Sequence, residues 1–159
     1  MYPIDQFAFV IGLKIVIING PNLNLLGKRE PAIYGTRSME QVLVDIQRAH
    51  LDTNLIYLQS NHEGDLIDWI QEHGCASLEK EVDGIVLNAG GYTHTSVALR
   101  DAVACAQVPV VEVHISDISQ REEFRRISLL TDVCAHSIIG HGIDGYMEAV
   151  EWILERVES

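Results

Sequence analysis

Four apolar runs, KIVII (14–18), NLIYLQS (54–60), GIVLNA (84–89) and PVVEVH (109–114), are spaced so that a helix fits into each gap between them. A weaker fifth run lies near Cys134 to Ile139. The first run is apolar without alternation, as expected of a strand covered on both faces rather than one. Helical patterns fill the gaps. From Ser38 to Ala49, Ser38 and Gln41 have capping-box spacing, and Val42, Ile46 and Ala49 recur on one face. A second helix is expected over Glu63 to His73, with Leu66, Ile67 and Ile70 inward and Gly74 as its stop. A third spans Thr93 to Ala106, a short one lies near Arg121 to Ile127, and a last one runs from Gly145 to Val157.

Strands that alternate with helices imply an α/β fold, and here a flavodoxin-like, doubly wound, five-stranded parallel sheet of order 2-1-3-4-5 with helices on both faces. That order locates the site. Ligands of open α/β sheets bind beyond the carboxyl ends of the strands where the winding reverses, so the loops after strands 1, 3 and 4 are the ones to inspect.

At 159 residues the chain is long enough for one domain, expected over 13–159, with residues 1–12 an N-terminal extension. The opening stretch lacks the basic leader and cleavage site of a secretory signal, and no run approaches the length of a membrane span. With a formal charge of −12 most of the surface would repel a phosphate backbone, so nucleic acid is not expected as a partner. Eight of the eleven basic residues are Arg, which suits two-point capture of a small anion. Cys75, Cys105 and Cys134 are odd in number and widely spaced, and read as reduced, mostly buried thiols of a cytoplasmic protein.

After strand 1 comes NGPNLNLLGKREPAIYGTR, long, without period and too apolar for a linker, which marks an active-site loop. It brings Arg29 and Tyr34 within reach of each other if the chain turns at Pro31. A guanidinium beside a phenol favours the phenolate, which can then act as a base. The plainer alternative is a Tyr34 ring packed on the core and a solvated Arg29. After strand 3, Asn88, Gly90 and Gly91 lead into a helix start that suits an anion or ligand hydroxyls, although a tight turn explains the glycines equally well. After strand 4, His114 ends the strand beside Ile115 and Ser116. REEFRR offers Arg121 and Arg125. Arg121 reads as part of a solvated, salt-bridged helix face, whereas an Arg reaching the crevice would hold an anionic substrate. His94, His114, His136 and His141 lack metal-ligand spacing, and no dinucleotide, P-loop or G-x-S-x-G motif is present, so neither metal nor cofactor is indicated.

Taken together, GPNLNLLGKREPAIYG, NAGGYTHTSVALRDA, VEVHIS and REEFRR, in this order and spacing, resemble the type II 3-dehydroquinate dehydratases over about Lys14 to Val157. The resemblance implies a cofactor-free loss of water from 3-dehydroquinate to give 3-dehydroshikimate, in the shikimate pathway of aromatic amino acid biosynthesis or in quinate breakdown. By that similarity Tyr34 is the base, Arg29 keeps it poised, Asn22 stabilises an enolate through a bound water, and His114 is the general acid. Substrate-holding positions map onto Asn88, His94, Ile115, Ser116 and Arg125, with Asp101 reaching in from a neighbouring subunit of a homododecamer, a tetramer of trimers. Gly20, Gly27 and Gly35 become candidate hinges of a closing loop.

The chain departs from the family pattern at Asp117, where Asn is common, and at Ile127, where His is common. Asp117 would put a carboxylate near the expected substrate carboxylate, or point away from it. A competing function is a non-catalytic flavodoxin-like module that holds an anionic metabolite in the same crevice.

Overall fold

The computed structural model describes residues 12–28, 32, 35–75, 82–157 and 159. Five strands form one parallel sheet: β1 (Lys14–Asn19), β2 (Asn54–Gln59), β3 (Gly84–Asn88), β4 (Val110–His114) and β5 (His136–Ile139). Their order is β2-β1-β3-β4-β5, with the winding reversing between β1 and β3 as the sequence pattern implies. Four α-helices are present among the described residues: α1 (Met39–Ala49), α2 (Glu63–Ile70), α3 (Val97–Ala104) and α4 (Gly145–Val157). The segment 1–11, and with it nearly all of the extension expected at 1–12, lies outside the described residues.

The side chains of β1 divide the core. Ile15 and Ile17 face α1 and α4, packing with Val42, Ile46, Val150 and Ile153. Val16 and Ile18 face α2 and α3, packing with Leu66, Ile70, Leu99 and Val103. All four β1 residues are fully buried, so the unbroken apolar run reports a strand covered twice. α1 begins with the expected capping box, Ser38 Oγ accepting from Gln41 N at 3.4 Å and Gln41 Oε1 accepting from Ser38 N at 2.9 Å. Its third inward residue is Met39, at the first position of the helix, whereas Ala49 at the last is exposed.

Several boundaries differ from expectation. α2 ends at Ile70 and widens into a π-turn over Gln71–Cys75, so Gly74 lies inside that turn rather than after a helix. Gly74 is a packing glycine: a Cβ there would stand 3.1 Å from Ile85 Cδ1 and 3.3 Å from Ala106 Cβ. The third helix starts only at Val97, where Ser96 Oγ accepts from Leu99 N at 2.8 Å, and Thr93 and His94 belong to a separate 3₁₀ turn over Gly90–His94. The short helix expected near 121–127 is a single 3₁₀ turn over Glu123–Arg125. The thiols are less buried than expected, Cys105 being exposed and the other two half-buried.

Ile17→Ala empties a fully enclosed position between β1 and the α1/α4 layer, and should lower unfolding stability by about 2–5 kcal/mol, measured as a reduced urea midpoint at unchanged slope.

Candidate active site

Parallel registers bring three amide side chains to one level of the sheet, because Asn19 of β1 pairs with Gln59 of β2 and with Asn88 of β3. Just beyond them Gly20 N donates to Asn88 O at 2.8 Å, and Gln59 Nε2 donates to Gly20 O at 3.2 Å. A Cβ on Gly20 would fall 2.5 Å from Ala89 O. Gly20 is therefore a close-approach glycine and not a hinge. Asn22 follows in the left-handed region at φ 68°, which Asn tolerates better than most residues. Its backbone N–H donates to Asn61 Oδ1 at 3.0 Å, and Asn61 O accepts from Tyr92 Oη at 2.8 Å. The loop after β2, which the winding argument set aside, thus holds the backbone of Asn22.

Among its described residues the long loop contains a 3₁₀ turn, Leu23–Leu25, and it is pinched at its neck. Gly27, at φ 80°, packs so closely on the other limb that a Cβ would stand 2.9 Å from Thr36 O. Gly35 also has positive φ but meets nothing within 4 Å. Arg37 fastens the outgoing limb to the surface, bonding Asp45 of α1 at 2.5 Å and Asp144 at 2.7 Å. Arg29 and Tyr34 lie outside the described residues.

β4 carries Glu112 and His114 two residues apart, hence on one face of the sheet. Both are buried, at 1% and 6% exposure. His114 Nε2 lies 2.5 Å from Glu112 Oε1. The same carboxylate accepts from Thr93 Oγ1 at 3.1 Å, from Ser128 Oγ, and from Thr131 Oγ1 and Ser137 Oγ at 2.8 Å each. Burial alone would push this carboxyl up, but the His114 hydrogen bond and charge, with the hydroxyls of Ser128 and Thr131, outweigh it and bring the pKa down to about 2. An ionised carboxylate only accepts, so Nε2 carries a hydrogen and Nδ1 is the ring nitrogen left for chemistry. A charged residue interrupting the apolar run two places before His114 was the sequence signal for this pair.

His94 stands across from them, its Nδ1 donating to Ile127 O at 2.7 Å. Burial lowers its pKa, with the Ile127 carbonyl acting in the opposite sense. At Ile127 the backbone matters, and the side chain is 71% exposed. Arg125 Nε is buried without a hydrogen-bond partner among the described residues, with Glu122 Oε2 3.5 Å away. Arg121 keeps the expected salt bridge, its Nε lying 3.4 Å from Glu122 Oε2, but corrects the rest of the sequence reading: it is not on a solvated helix face, its side chain turns inward, and Nη1 donates to Ser116 Oγ at 3.2 Å. Asp117 turns away to cap its own turn, accepting from Ser119 N at 2.9 Å and Ser119 Oγ at 2.7 Å.

These elements enclose a cavity of about 190 Å³ at the carboxyl edge of the sheet. Asn22, Asn88, His94, His114, Ile115, Ser116 and Arg125 all line it, as does Arg121. Asp101 is absent from this lining and lies exposed on α3. Sequence reasoning missed Glu112, Arg121 and Asn61, and also Tyr146, a wholly buried α4 residue bonded to both Asn19 and Asn88. No helix of the described residues is long and apolar enough to cross a membrane.

Comparison with known proteins gives the same picture. The family model described as dehydroquinase class II matches residues 13–154. A protein of Halothermothrix orenii named 3-dehydroquinate dehydratase is 45% identical over 148 residues, covering 92% of this chain and 97% of its own. One from Rhodopseudomonas palustris with the same name is 49% identical, covering 90% of this chain and 93% of its own. The crystal structure of the type II dehydroquinase from Butyrivibrio crossotus superposes with a TM-score of 0.82 at 44% identity, covering 89% of this chain and 97% of that one. That of the type II dehydroquinase from Propionibacterium acnes gives 0.81 at 32% identity, covering 90% and 97%. With nearly its whole length matched in sequence and in fold, this chain belongs to the class II dehydroquinase family of enzymes.

Proposed function

We propose that this chain dehydrates 3-dehydroquinate to 3-dehydroshikimate in the cytoplasm, by cofactor-free elimination through an enolate, serving the shikimate pathway or quinate breakdown. The observation that carries the reading is the meeting of Asn22, Asn88, His94, His114 and Arg125 at one cavity, with His114 backed by the ionised Glu112.

The chemistry follows from the substrate. A proton beside a ketone is acidic enough for a side-chain base, and Tyr34, tuned by Arg29, takes it. Negative charge then gathers on the ketone oxygen, where Asn22 stabilises it through a bound water. His114 gives a proton to the departing hydroxyl as the carbon–oxygen bond breaks, so water leaves and the enolate electrons form the new double bond. Arg125, His94, Asn88 and the Ile115–Ser116 turn hold the substrate. His94, bonded through Nδ1 to a carbonyl, offers Nε2, and Arg125 supplies positive charge in an acidic protein.

Asp101 completes a neighbouring copy's cavity in a homododecamer built as a tetramer of trimers. Its exposure away from its own cavity supports this, as do the exposed apolar side chains of Val97, Phe124 and Ile127. Sedimentation should return a mass twelve times the 17.7 kDa of the single chain.

Adding 3-dehydroquinate should raise ultraviolet absorbance as the conjugated enone forms, and Tyr34→Phe should abolish that rise while the protein stays folded. Tight substrate binding without any rise would favour a binding module instead. Glu112→Gln should destabilise the chain by about 3 kcal/mol at pH 7 by leaving a buried pair incomplete. The folded-state pKa of Glu112 lies below its ordinary 4.5, so its contribution is complete above 4.5 and is lost as pH falls toward about 2. The gap between wild type and variant in urea midpoint should close over that range, and a gap that stays constant down to pH 2 would count against the ionised carboxylate.

A further inference from the structure

Under the cavity floor, at the point where the winding of the sheet reverses, lies a chain of hydrogen bonds that runs through the buried side chains of Asn88, Tyr146 and Asn19 and has the half-buried Gly90 and Tyr57 at its ends. Gly90 N donates to Asn88 Oδ1 at 3.2 Å, Asn88 Nδ2 to Tyr146 Oη at 2.9 Å, and Tyr146 Oη to Asn19 Oδ1 at 2.8 Å. Asn19 Nδ2 then faces Tyr57 Oη at 3.4 Å. The direction of this chain is fixed at its start, because a backbone N–H only donates and so sets which end of the Asn88 carboxamide is oxygen. The Asn88 oxygen is thereby engaged and its nitrogen turned to Tyr146. The phenol has one hydrogen. It accepts from Asn88 and gives that hydrogen to Asn19. Of the carboxamide's two N–H bonds, one is spent on Tyr146 and the other is left for whatever fills the cavity.

We propose that Tyr146 is a positioning residue that fixes the Asn88 carboxamide so that the cavity floor presents an N–H donor, and thereby selects an oxygen acceptor on the substrate. The inference rests on the dehydratase reading for the identity of that substrate and names the polarity of one contact within it. Packing alone does not call for the hydroxyl, since Tyr146 sits at 0% exposure among Val113, Val150 and other apolar residues where a Phe would fill the same space. A buried hydroxyl is retained at the cost of desolvation, which its two amide partners offset only while both are aligned. Burial also holds the phenol above its ordinary pKa, so it keeps the hydrogen that orders the chain. The same hydroxyl ties Asn88 to Asn19, the last residue before the catalytic loop, and the two strand ends are also joined by the Gly20 to Asn88 backbone bond.

The test is a double-mutant cycle on the full chain, read as KM and kcat with 3-dehydroquinate and as Kd by calorimetry. Tyr146→Phe should raise KM about tenfold, with kcat changed far less, as expected for loss of one aligned buried hydrogen bond. In an Asn88→Ala background the same substitution should add nothing further. A KM for Tyr146→Phe within about twofold of wild type, whether or not thermal stability falls, would reduce the hydroxyl to a structural role and overturn the proposal, as would fully additive effects in the cycle. If Tyr146→Phe does not fold, Asn88→Asp decides: it has no N–H to offer, so wild-type KM in that variant overturns the donor assignment, and a rise equal to that of Asn88→Ala supports it. A wild type that binds 3-dehydroquinate without converting it counts against the dehydratase reading alone, because the Kd ratios still report on Tyr146. A wild type that does not bind it overturns both.

Discussion

The parallel register of β2, β1 and β3 sets Gln59, Asn19 and Asn88 side by side, and nearly everything functional in this molecule is hung from that row. A parallel sheet has all its carboxyl ends at one edge, and the reversal of winding between β1 and β3 keeps that edge open where two adjacent connections leave in opposite directions. In β1 and β3 the residues leading to the row, Ile15–Ile18 and Gly84–Leu87, are apolar and buried, and the last residue of each strand is an amide, so the boundary between core and site falls at one residue per strand. Slipping β1 by one position would turn Ile15 and Ile17 to the α2/α3 face and move Asn19 off the level of Asn88. Core packing and site geometry are thus one constraint.

A second level of organisation is electrostatic. The chain carries a net charge of −12, yet its cavity wall is supplied with Arg121, Arg125, two imidazoles and amide groups. Among the described residues the one buried carboxylate in this region, Glu112, points below the wall into a nest of hydroxyls on Thr93, Ser128, Thr131 and Ser137. Ser137 is its direct cross-strand neighbour on β5, so even the weakest strand of the sheet contributes a donor through register. Negative charge is kept close enough to orient His114 while its field is largely satisfied before it reaches an anionic occupant.

Much of this was legible in the sequence. Strand positions, strand order and the capping box at Ser38 follow from local pattern, and loop length with glycine punctuation marked the Asn19–Arg37 segment. The helices were less legible. Ser96, a better cap than anything before it, starts α3 later than the apolar pattern suggests, and REEFRR has helical spacing but lacks an apolar face to bury, so a single 3₁₀ turn is all that forms. Within the site, His114 and Asn88 could be found because they end strands. Asn61 could not, since its role is to hold the backbone of another loop. Tyr146 reads as any core aromatic on α4, and only the tertiary fold shows that its hydroxyl meets two strand ends. Arg121 was misjudged because the helix assumed for it would have turned its side chain outward.

The pinched neck of the long loop has a consequence for how the enzyme responds to its medium. Arg37 bridges two carboxylates at the surface, and pairs so exposed contribute about 1 kcal/mol or less and fade within a Debye length of roughly 8 Å at physiological salt. Gly27 and Thr36 meet by shape, backbone against backbone, at a separation that admits no side chain. Shape does not screen. The spacing of the loop's two limbs is therefore set by contact that ionic strength leaves untouched, and the exposed arginine governs only how firmly the outer limb lies on the helices beneath it.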